Sequence, residues 1–290
     1  MQNLSDIGVI KSILTRHGFT FSKSLGQNFL INPSVCPKMA ELSGAGEGIG
    51  ILEIGPGIGV LTTELAKRAE KVVSVELDKR LMPVLSETLG EFNNVEIINE
   101  DILKLDLPQL LKEKFSGLKV CVCANLPYYI TSPIIMHLLE SRLPLEAITV
   151  MVQKEAAQRL CAPVGSRDSG AITAAVHYYA DAETLFQVSR GSFMPPPNVD
   201  STVIRFTIKK TPPVSVINEK LFFSLIRCAF EQRRKTALNA LSAGTNFSKE
   251  TLKDAMAESG LAPDIRGEKL QLEDFARLSD ILSKGQSLRN

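Results

Sequence analysis

The order of apolar and polar positions predicts an α/β domain built on a parallel sheet. Short apolar runs rich in β-branched residues alternate with segments whose apolar positions recur every three or four residues. The predicted strands are 49–54, 71–76, 95–99, 119–124 and 147–152. The predicted helices between or after them are 60–69, 79–89, 132–141 and 153–160. Strands joined by single helices favour right-handed crossovers and a parallel sheet that is covered on both faces.

The pattern changes in the segment that follows. A helix predicted over 170–180 leads into two strands, 183–189 and 201–210, and the proline-rich sequence RGSFMPPPNVD joins these strands without a helix. Two strands connected in this way favour an antiparallel end to the sheet.

Beyond the sequence TPPV at 211–214, the chain shows helical spacing and no strand signals. The helices predicted there are 218–241, 248–260 and 272–285. We therefore predict an α/β domain with a mostly parallel, seven-stranded sheet over 1–210 and a small helical domain over 211–290.

Composition narrows the class of protein without giving its function. The hydrophobic fraction of 44% and the balance of 33 basic against 32 acidic residues are typical of a globular protein. A net charge of +1 means that nucleic-acid binding would depend on local basic patches. The five cysteines form no CxxC pair, which favours core thiols in a reducing compartment and no metal site. The N-terminus lacks the apolar region of a secretory signal and no apolar run approaches the roughly 20 residues of a membrane span, so we expect a cytoplasmic protein.

A glycine-rich turn follows the first predicted strand. The sequence EIGPGIG contains Gly55 and Gly57, and a helix begins directly after it. Glycines at such a turn let a ligand approach the backbone beside the positive end of the helix. The spacing differs from the GxGxxG of dinucleotide-binding folds, and Glu53 precedes the first glycine by two residues. An acidic turn favours a cationic ligand over a pyrophosphate.

Carboxylates lie at the ends of the next two predicted strands. Glu76 can accept hydrogen bonds from both hydroxyls of a ribose, and Asp101 can accept one from an adenine amino group. Taken alone, either acid is equally well interpreted as a solvated strand end. Because ligands of open α/β sheets bind at the carboxyl ends of strands, the set predicts an adenosine with a cationic, amino-acid-like tail. S-adenosylmethionine is such a molecule.

The end of the fourth predicted strand carries the most specific motif, Asn-Leu-Pro-Tyr at 125–128, which resembles the catalytic motif of amino-methyltransferases. Nearly end to end, the chain resembles the family of ribosomal RNA small-subunit adenine dimethyltransferases. The matching segments are SLGQNFL, EIGPGIGVLT, NLPYYITSPI, FMPPPNVDSTV, AFEQRRKTALNAL and RGEKLQLEDFARL.

The resemblance implies a Rossmann-like, S-adenosylmethionine-dependent methyltransferase domain whose N-terminal segment, 1–48, covers the cofactor. It implies N6,N6-dimethylation of two adjacent adenosines in a hairpin near the 3′ end of 16S rRNA, within an assembling small ribosomal subunit. We expect a monomer. The cofactor contacts implied are Asn28, Leu30, Gly55, Gly57, Glu76, Asp101 and Asn125.

The chemistry of the motif also follows from its residues. The adenine amino nitrogen is a poor nucleophile because its lone pair is delocalised into the ring. Hydrogen bonds accepted by the Asn125 side chain and the Leu126 carbonyl would draw it toward tetrahedral geometry and stabilise positive charge as it develops. Pro127 fixes the turn, and Tyr128 can stack on an extruded base. Tyr129 is expected to pack as structure. An alternative interpretation of the motif is a proline turn that caps the next helix.

Two further regions are candidates for RNA contacts. The resemblance suggests that Phe193 stacks on the target base opposite Tyr128, and the alternative is a hydrophobic plug under the proline-rich loop. A cationic segment suits phosphates, with a solvated helix face as the alternative. Its residues are Arg227, Arg233, Arg234 and Lys235.

Other functions stay open at this point. A 23S rRNA adenine methyltransferase of the macrolide-resistance type shares the motifs but usually has a shorter chain, and the C-terminal match favours the small-subunit enzyme. Glutamine or DNA-adenine methyltransferases more often carry a proline in place of Leu126. A non-catalytic RNA-binding assembly factor is disfavoured by the intact Asn125, Glu76 and Asp101. An NAD dehydrogenase is disfavoured by the glycine spacing.

Overall fold

The computed structural model describes residues 4–20, 28–232 and 234–287. Its helices are α1 Ile7–Arg16, α2 Val35–Leu42, α3 Val60–Ala66, α4 Met82–Leu89, α5 Leu107–Lys114, α6 Thr131–Glu140, α7 Lys154–Leu160, α8 Ala171–Tyr179, α9 Glu219–Glu231, α10 Ala237–Gly244, α11 Lys249–Glu258 and α12 Leu272–Ser287. Its strands are β1 Phe29–Leu30, β2 Ile49–Ile54, β3 Lys71–Glu76, β4 Val95–Asn99, β5 Lys119–Asn125, β6 Leu145–Gln153, β7 Ala180–Val188, β8 Phe193–Met194 and β9 Ser201–Ile208. The chain forms two compact units. The first contains the residues up to 157 together with 181–208, and the second contains 158–180 together with the residues from 209 onward.

Seven strands of the first unit form one sheet in the order β4-β3-β2-β5-β6-β9-β7. The pairs from β4 to β6 are parallel, and β9 runs antiparallel to β6. The mostly parallel, seven-stranded sheet is therefore confirmed. After β4 the chain returns to the other side of β2, so the strand order reverses between β2 and β5. In open α/β sheets, such a switch point is where ligands bind.

The central strands form because their sequences are apolar at consecutive positions. Every residue of Gly50–Ile54 in β2 and of Val120–Ala124 in β5 is buried, as a strand covered on both faces requires. On one side, Met39 of α2 and Leu65 of α3 belong to the same core cluster as Ile51 of β2. Three of the free cysteines, Cys36, Cys121 and Cys123, lie in this core, in agreement with the interpretation of them as core residues.

Several short elements were not predicted. Helices α1 and α2 lie within the segment 1–48, which the family resemblance assigns to covering the cofactor, and residues 1–3 and 21–27 of that segment lie outside the described ranges. Helix α1 packs on α4 through Ile10 and Ile13, and the His17 Nε2 lies 2.6 Å from the Glu87 Oε2. Strands β1 and β8 have two residues each, and in the part of the chain that the structure describes they pair with each other alone, antiparallel.

The second unit is a helical cluster around Phe222, Phe275 and Leu278, and it includes α8. The hydroxyls of Tyr178 and Tyr179 donate to the Glu219 carboxylate at 3.3 and 3.2 Å. The division predicted from sequence assigned 158–180 to the first domain, whereas the structure groups this segment with the C-terminal helices. The reason is that the buried side chains of α8 complete the core of the helical unit.

The helix predicted over 218–241 is interrupted. Helix α9 ends at Glu231, and α10 begins at Ala237. Thr236 caps α10 by accepting a hydrogen bond from the Asn239 N–H at 3.4 Å.

Within the three described ranges, no helix combines the length and apolar character needed to cross a bilayer. The same ranges contain no group of His, Cys, Asp or Glu arranged to hold a metal ion.

Candidate active site

A cavity opens at the carboxyl ends of the central strands, beside the switch point of the sheet. Its empty space, including the open mouth, is about 1120 Å³, which is enough for an adenosine-sized ligand. It brings together every residue that the sequence predicted for catalysis, cofactor binding and base stacking. These are Asn28, Leu30, Gly55, Gly57, Glu76, Asp101, Asn125, Leu126, Pro127, Tyr128 and Phe193. Their individual roles stay predictions.

The glycine turn forms one wall and has a conformation that favours glycine. Gly55 and Gly57 have φ values of 69° and 61°, in the left-handed region. A Cβ added to Gly57 would lie 3.2 Å from the Phe29 Cε1, so β1 packs tightly over the turn. The Gly55 N–H donates to the Val75 carbonyl at 2.9 Å, which ties the turn to β3.

Gly57→Ala is expected to lower the free energy of unfolding by about 1–3 kcal/mol, because a left-handed alanine is strained and its methyl group meets Phe29. We also expect weaker binding of S-adenosylmethionine, since the turn and β1 must move apart. Urea unfolding and titration calorimetry measure the two effects. Gly46→Ala is the matched control, because its Cβ would meet no atom within 4 Å. Wild-type affinity in Gly57→Ala would contradict this account of the turn.

Glu76, at the end of β3, is held in one orientation by backbone donors. Its Oε2 accepts from the Gly57 N–H at 3.2 Å and its Oε1 from the Asp78 N–H at 2.8 Å. Burial raises the pKa of Glu76, although both hydrogen bonds oppose that shift. A carboxylate offers about four lone-pair sites, so two backbone bonds leave capacity for the hydroxyls of a ribose.

Glu53 is a second carboxyl group in the cavity wall, and it is fully buried. Its Oε2 accepts from the Ser74 hydroxyl at 2.6 Å, while its Oε1 has no hydrogen-bond partner among the described residues. Burial raises the pKa of Glu53 to about 7. The hydrogen bond from Ser74 and the nearby Thr62 hydroxyl oppose this shift, and the charge of Glu76 adds a smaller contribution to it. In the sequence this acid is visible only as a feature of the turn, and the pattern of strand ends does not predict it as a cofactor contact.

Asp101 lies two residues beyond the end of β4. Its Oδ1 accepts from the Leu103 N–H at 3.1 Å, and its Oδ2 lies 3.9 Å from the Lys104 Nζ. The side chain is therefore fixed by its own turn and keeps acceptor sites for an adenine amino group. The acidic wall, the tight glycine turn and the unpartnered Glu53 Oε1 fit S-adenosylmethionine, which carries positive charge beside an adenosine.

The motif at 125–128 is held in place by hydrogen bonds before and after Pro127 and by a buried side chain. Asn125 ends β5, and the Leu126 N–H donates to the Met151 carbonyl of β6 at 3.2 Å. The Leu126 side chain is 1% exposed and anchors the turn in the core. The Pro127 carbonyl accepts from the Ile130 N–H at 3.2 Å and from the Thr131 hydroxyl at 3.2 Å. Among the described residues, no side chain caps the start of α6, so the alternative in which Thr131 or Ser132 acts as the cap is not supported.

The two adjacent tyrosines have different environments. The hydroxyls of Tyr128 and Ser201 share a hydrogen bond of 2.6 Å, and burial raises the pKa of Tyr128. Tyr129 also lines the cavity, but its side chain is 56% exposed. The expectation that Tyr129 packs as structure is therefore wrong. Sequence had given no signal for Ser201, which lies at the start of β9.

Phe193 lines the cavity from β8 but is only 2% exposed. It pairs with Leu30 in the small sheet and belongs to a core cluster with Val35 and Met39. This placement agrees with the interpretation as a hydrophobic plug, because most of the ring is covered by other side chains. Stacking on a target base stays a prediction for this residue.

The predicted cationic segment lies in the second unit. Arg227 is exposed on α9, and Arg234 and Lys235 are exposed in the turn between α9 and α10. Arg233 lies outside the described residues. The break between α9 and α10 therefore separates Arg227 from Arg234 and Lys235, whereas the sequence pattern predicts all of them on one continuous helix.

Comparison with known families identifies what this architecture is similar to. The model of the family described as "Ribosomal RNA adenine dimethylase" matches residues 18–284. "Ribosomal RNA small subunit methyltransferase A" of Alkaliphilus oremlandii is 48% identical over 285 residues, which is 98% of this chain and 99% of that protein. The protein of the same name from Shouchella clausii is 50% identical over 274 residues, 93% of each chain.

Two solved structures are similar over most of the chain. A dimethyladenosine transferase from Plasmodium falciparum has a TM-score of 0.72 and 27% identity, covering 89% of this chain and 98% of that one. The 23S rRNA methyltransferase ErmE has a TM-score of 0.67 and 26% identity, covering 88% of this chain and 100% of that one. These matches confirm the resemblance that the motifs predicted. Because the family model spans most of the sequence and full-length relatives share about half of its residues, this chain belongs to the ribosomal RNA adenine dimethylase family.

Proposed function

We propose that this protein transfers methyl groups from S-adenosylmethionine to the N6 atoms of adenosines in small-subunit ribosomal RNA. Two methyl groups are placed on each of two adjacent adenosines in a hairpin near the 3′ end of 16S rRNA. The observation that carries the proposal is the position of the motif. Asn125 and Leu126 line the same cavity as Glu76 and Asp101, so an adenine amino group and a cofactor would meet there.

S-adenosylmethionine supplies a methyl group on a positively charged sulfur atom. Glu76 and Asp101 would hold its adenosine, and the buried Glu53 would favour its positive end. The side-chain oxygen of Asn125 and the backbone carbonyl of Leu126 would accept hydrogen bonds from the adenine amino group. These bonds reduce the delocalisation of the nitrogen lone pair and stabilise positive charge as it develops on the nitrogen.

The remaining residues of the motif position the base. The hydrogen bonds to the Pro127 carbonyl hold the turn, so that the Leu126 carbonyl has a fixed direction. Tyr128 is fixed through Ser201 and would stack on the extruded base, a contact worth about 1–3 kcal/mol. That energy offsets the few kcal/mol needed to take a base out of its stack. Since the amino group reacts while it still carries its protons, no side chain has to act as a base beforehand. After transfer, the positively charged nitrogen releases one proton to water, which restores a neutral amine for the second methyl group.

The test is transfer of labelled methyl groups from S-adenosylmethionine to small ribosomal subunits that lack the modification. Digestion of the RNA should yield labelled N6,N6-dimethyladenosine from the small-subunit RNA. Label in large-subunit RNA would instead support the 23S rRNA activity, which is the second candidate because the ErmE structure is similar over its whole length. Stable binding without any label would support an assembly factor that acts by RNA binding alone.

The exposed basic residues of the second unit would bind RNA phosphates. The affinity for RNA should fall steeply with salt, because each neutralised phosphate releases a counterion. Combining Arg234→Ala with Lys235→Ala is expected to weaken binding to all RNA sequences alike and to reduce the slope of log K against log salt by about 2. Fluorescence anisotropy over a salt series measures the slope. Lys253→Ala, which removes an exposed lysine from α11, is the control. An unchanged slope in the double variant would remove this segment from the interface.

We further propose an assembling small subunit as the substrate, the cytoplasm as the location and a monomer as the active form. Relatives that share about half of this sequence over its full length carry the name of a small-subunit methyltransferase, which supports the first point. Methylation assays with naked RNA, partly assembled particles and complete subunits distinguish the substrates. Sedimentation of the purified protein gives its oligomeric state.

A further inference from the structure

Tyr129 differs from the other tyrosines of the chain. Tyr128 is hydrogen-bonded to Ser201, and the hydroxyls of Tyr178 and Tyr179 donate to Glu219 in the helical unit. Tyr129 lines the active-site cavity and is nevertheless 56% exposed. An aromatic ring left half in water at the edge of a cavity has a face available to a ligand.

The backbone under this ring is fixed. Residues 128–130 form a single helical turn, closed by the hydrogen bond from the Ile130 N–H to the Pro127 carbonyl. Leu126 anchors the preceding residue in the core, and Thr131 begins α6 directly after the turn. A ring on a rigid turn loses little conformational entropy when it stacks, so more of the contact energy appears as affinity.

We propose that Tyr129 stacks on the base of the nucleotide next to the adenosine that enters the cavity. The inference rests on the proposed function and extends it to a second nucleotide. A base that enters the cavity beside Tyr128 leaves its neighbour at the mouth, where Tyr129 is exposed. Stacking accepts any base because every base has a flat apolar face.

Two adjacent target adenosines make such a platform useful twice. When the first adenosine occupies the cavity, the second is its 3′ neighbour, and when the second enters, the first is its 5′ neighbour. A ring held at one place therefore stacks on an adenine in one of the two rounds and on the base of the flanking nucleotide in the other, whether or not the adenine already carries methyl groups. A hydrogen-bonding contact to N6 would lose its donor after methylation, whereas a stacking contact keeps its surface.

The test combines protein variants with a modified RNA. Tyr129→Phe keeps the ring, Tyr129→Leu keeps an apolar side chain without a ring, and Tyr129→Ala removes both. Binding is measured by fluorescence anisotropy with a short RNA hairpin that carries the two adjacent adenosines, and with two further hairpins in which one adenosine and the nucleotide on the far side of the other adenosine are both abasic. On the intact hairpin we expect Kd within about 2-fold of wild type for Phe and a loss of about 5- to 100-fold for Leu and Ala.

The abasic hairpins show whether the neighbouring base is the partner. The one remaining adenosine can enter the cavity but has no base on either side, so Tyr129→Ala should now change Kd by less than about 2-fold. An equal loss on intact and abasic hairpins, or no loss on the intact one, would overturn the proposal. If Tyr129→Leu binds the intact hairpin like wild type, the residue makes only a general apolar contact, and this result also overturns the stacking proposal. Ile217→Ala is the matched control, because Ile217 is 61% exposed in the second unit.

Methyl transfer separates this proposal from the function on which it rests. With small subunits that lack the modification, Tyr129→Ala should raise KM in proportion to its loss of affinity, and Tyr129→Phe should restore it. The melting midpoint and the affinity for S-adenosylmethionine should stay at wild-type values in all three variants. If wild-type protein transfers no methyl group to small-subunit RNA, the proposed function fails. If wild-type transfer is normal and Tyr129→Ala equals it in KM, only the stacking proposal fails.

Discussion

Asn125→Ala is expected to lower the rate of methyl transfer about 10²- to 10³-fold while the protein stays folded. The Asn125 side chain would accept a hydrogen bond that strengthens as the adenine nitrogen becomes positive, and loss of one such group typically costs that factor. Folding should persist because the strand end is held by the backbone bond from Leu126 to Met151 and by the buried Leu126 side chain. Single-turnover transfer to small subunits that lack the modification measures the rate without product release.

Asn125→Asp is the matched variant for this experiment. It keeps an acceptor oxygen at nearly the same place, so it should retain more activity than Asn125→Ala. The affinity for S-adenosylmethionine, measured by calorimetry, should fall much less than the rate in both variants. A rate for Asn125→Ala within a few-fold of wild type would refute the assigned role and leave the geometry of the cavity as the main source of catalysis.

Glu53→Gln is expected to gain stability over wild type as the pH rises. The free energy of unfolding of the variant minus that of wild type should be about 3 kcal/mol larger at pH 8 than at pH 4. Burial raises the pKa of Glu53 from 4.5 to about 7, so the folded protein binds this proton more tightly than the unfolded chain does. Stability from this source is fully present below pH 4.5 and is lost as the pH rises through about 7. Each pKa unit corresponds to about 1.4 kcal/mol, and glutamine carries no such dependence.

Urea unfolding of the cofactor-free protein at several pH values between 4 and 8 checks this result. The glutamine carbonyl can still accept the hydrogen bond from Ser74, so the comparison isolates the ionisation. Glu47→Gln is the control, since Glu47 is an exposed carboxyl group in the loop before β2. Parallel pH profiles for wild type and Glu53→Gln would show that the folded protein ionises Glu53 without cost.

The sheet could be predicted because its strands have local signals. Strands β2, β3 and β4 begin and end at the residues that the apolar runs indicated. The cavity followed from the same signals, since parallel strands place their carboxyl ends at one edge and the polar residues come directly after them. The family resemblance then added Asn28 and Leu30, for which the hydrophobic pattern alone gives no reason.

What could not be predicted depends on contacts between distant parts of the chain. The apolar pattern of α8 fits either unit, and only the packing of Tyr178 on Phe222 decides between them. Phe193 and Tyr129 are both aromatic residues beside motifs, yet one is buried and the other is exposed. Exposure is set by neighbours that sequence spacing does not reveal, such as Leu30 across from Phe193.

The small sheet of β1 and β8 has a consequence for the order in which the protein folds during synthesis. Phe29 and Leu30 precede the whole seven-stranded sheet, whereas their partners Met194 and Phe193 come after all of it except β9. On the ribosome, β1 therefore has no partner strand until nearly all of the sheet has emerged. A two-residue strand has little stability of its own. Phe29, which closes over the glycine turn, is thus held in place late, and a chain cut before residue 193 would keep the turn but lose the ladder that holds Phe29 in place.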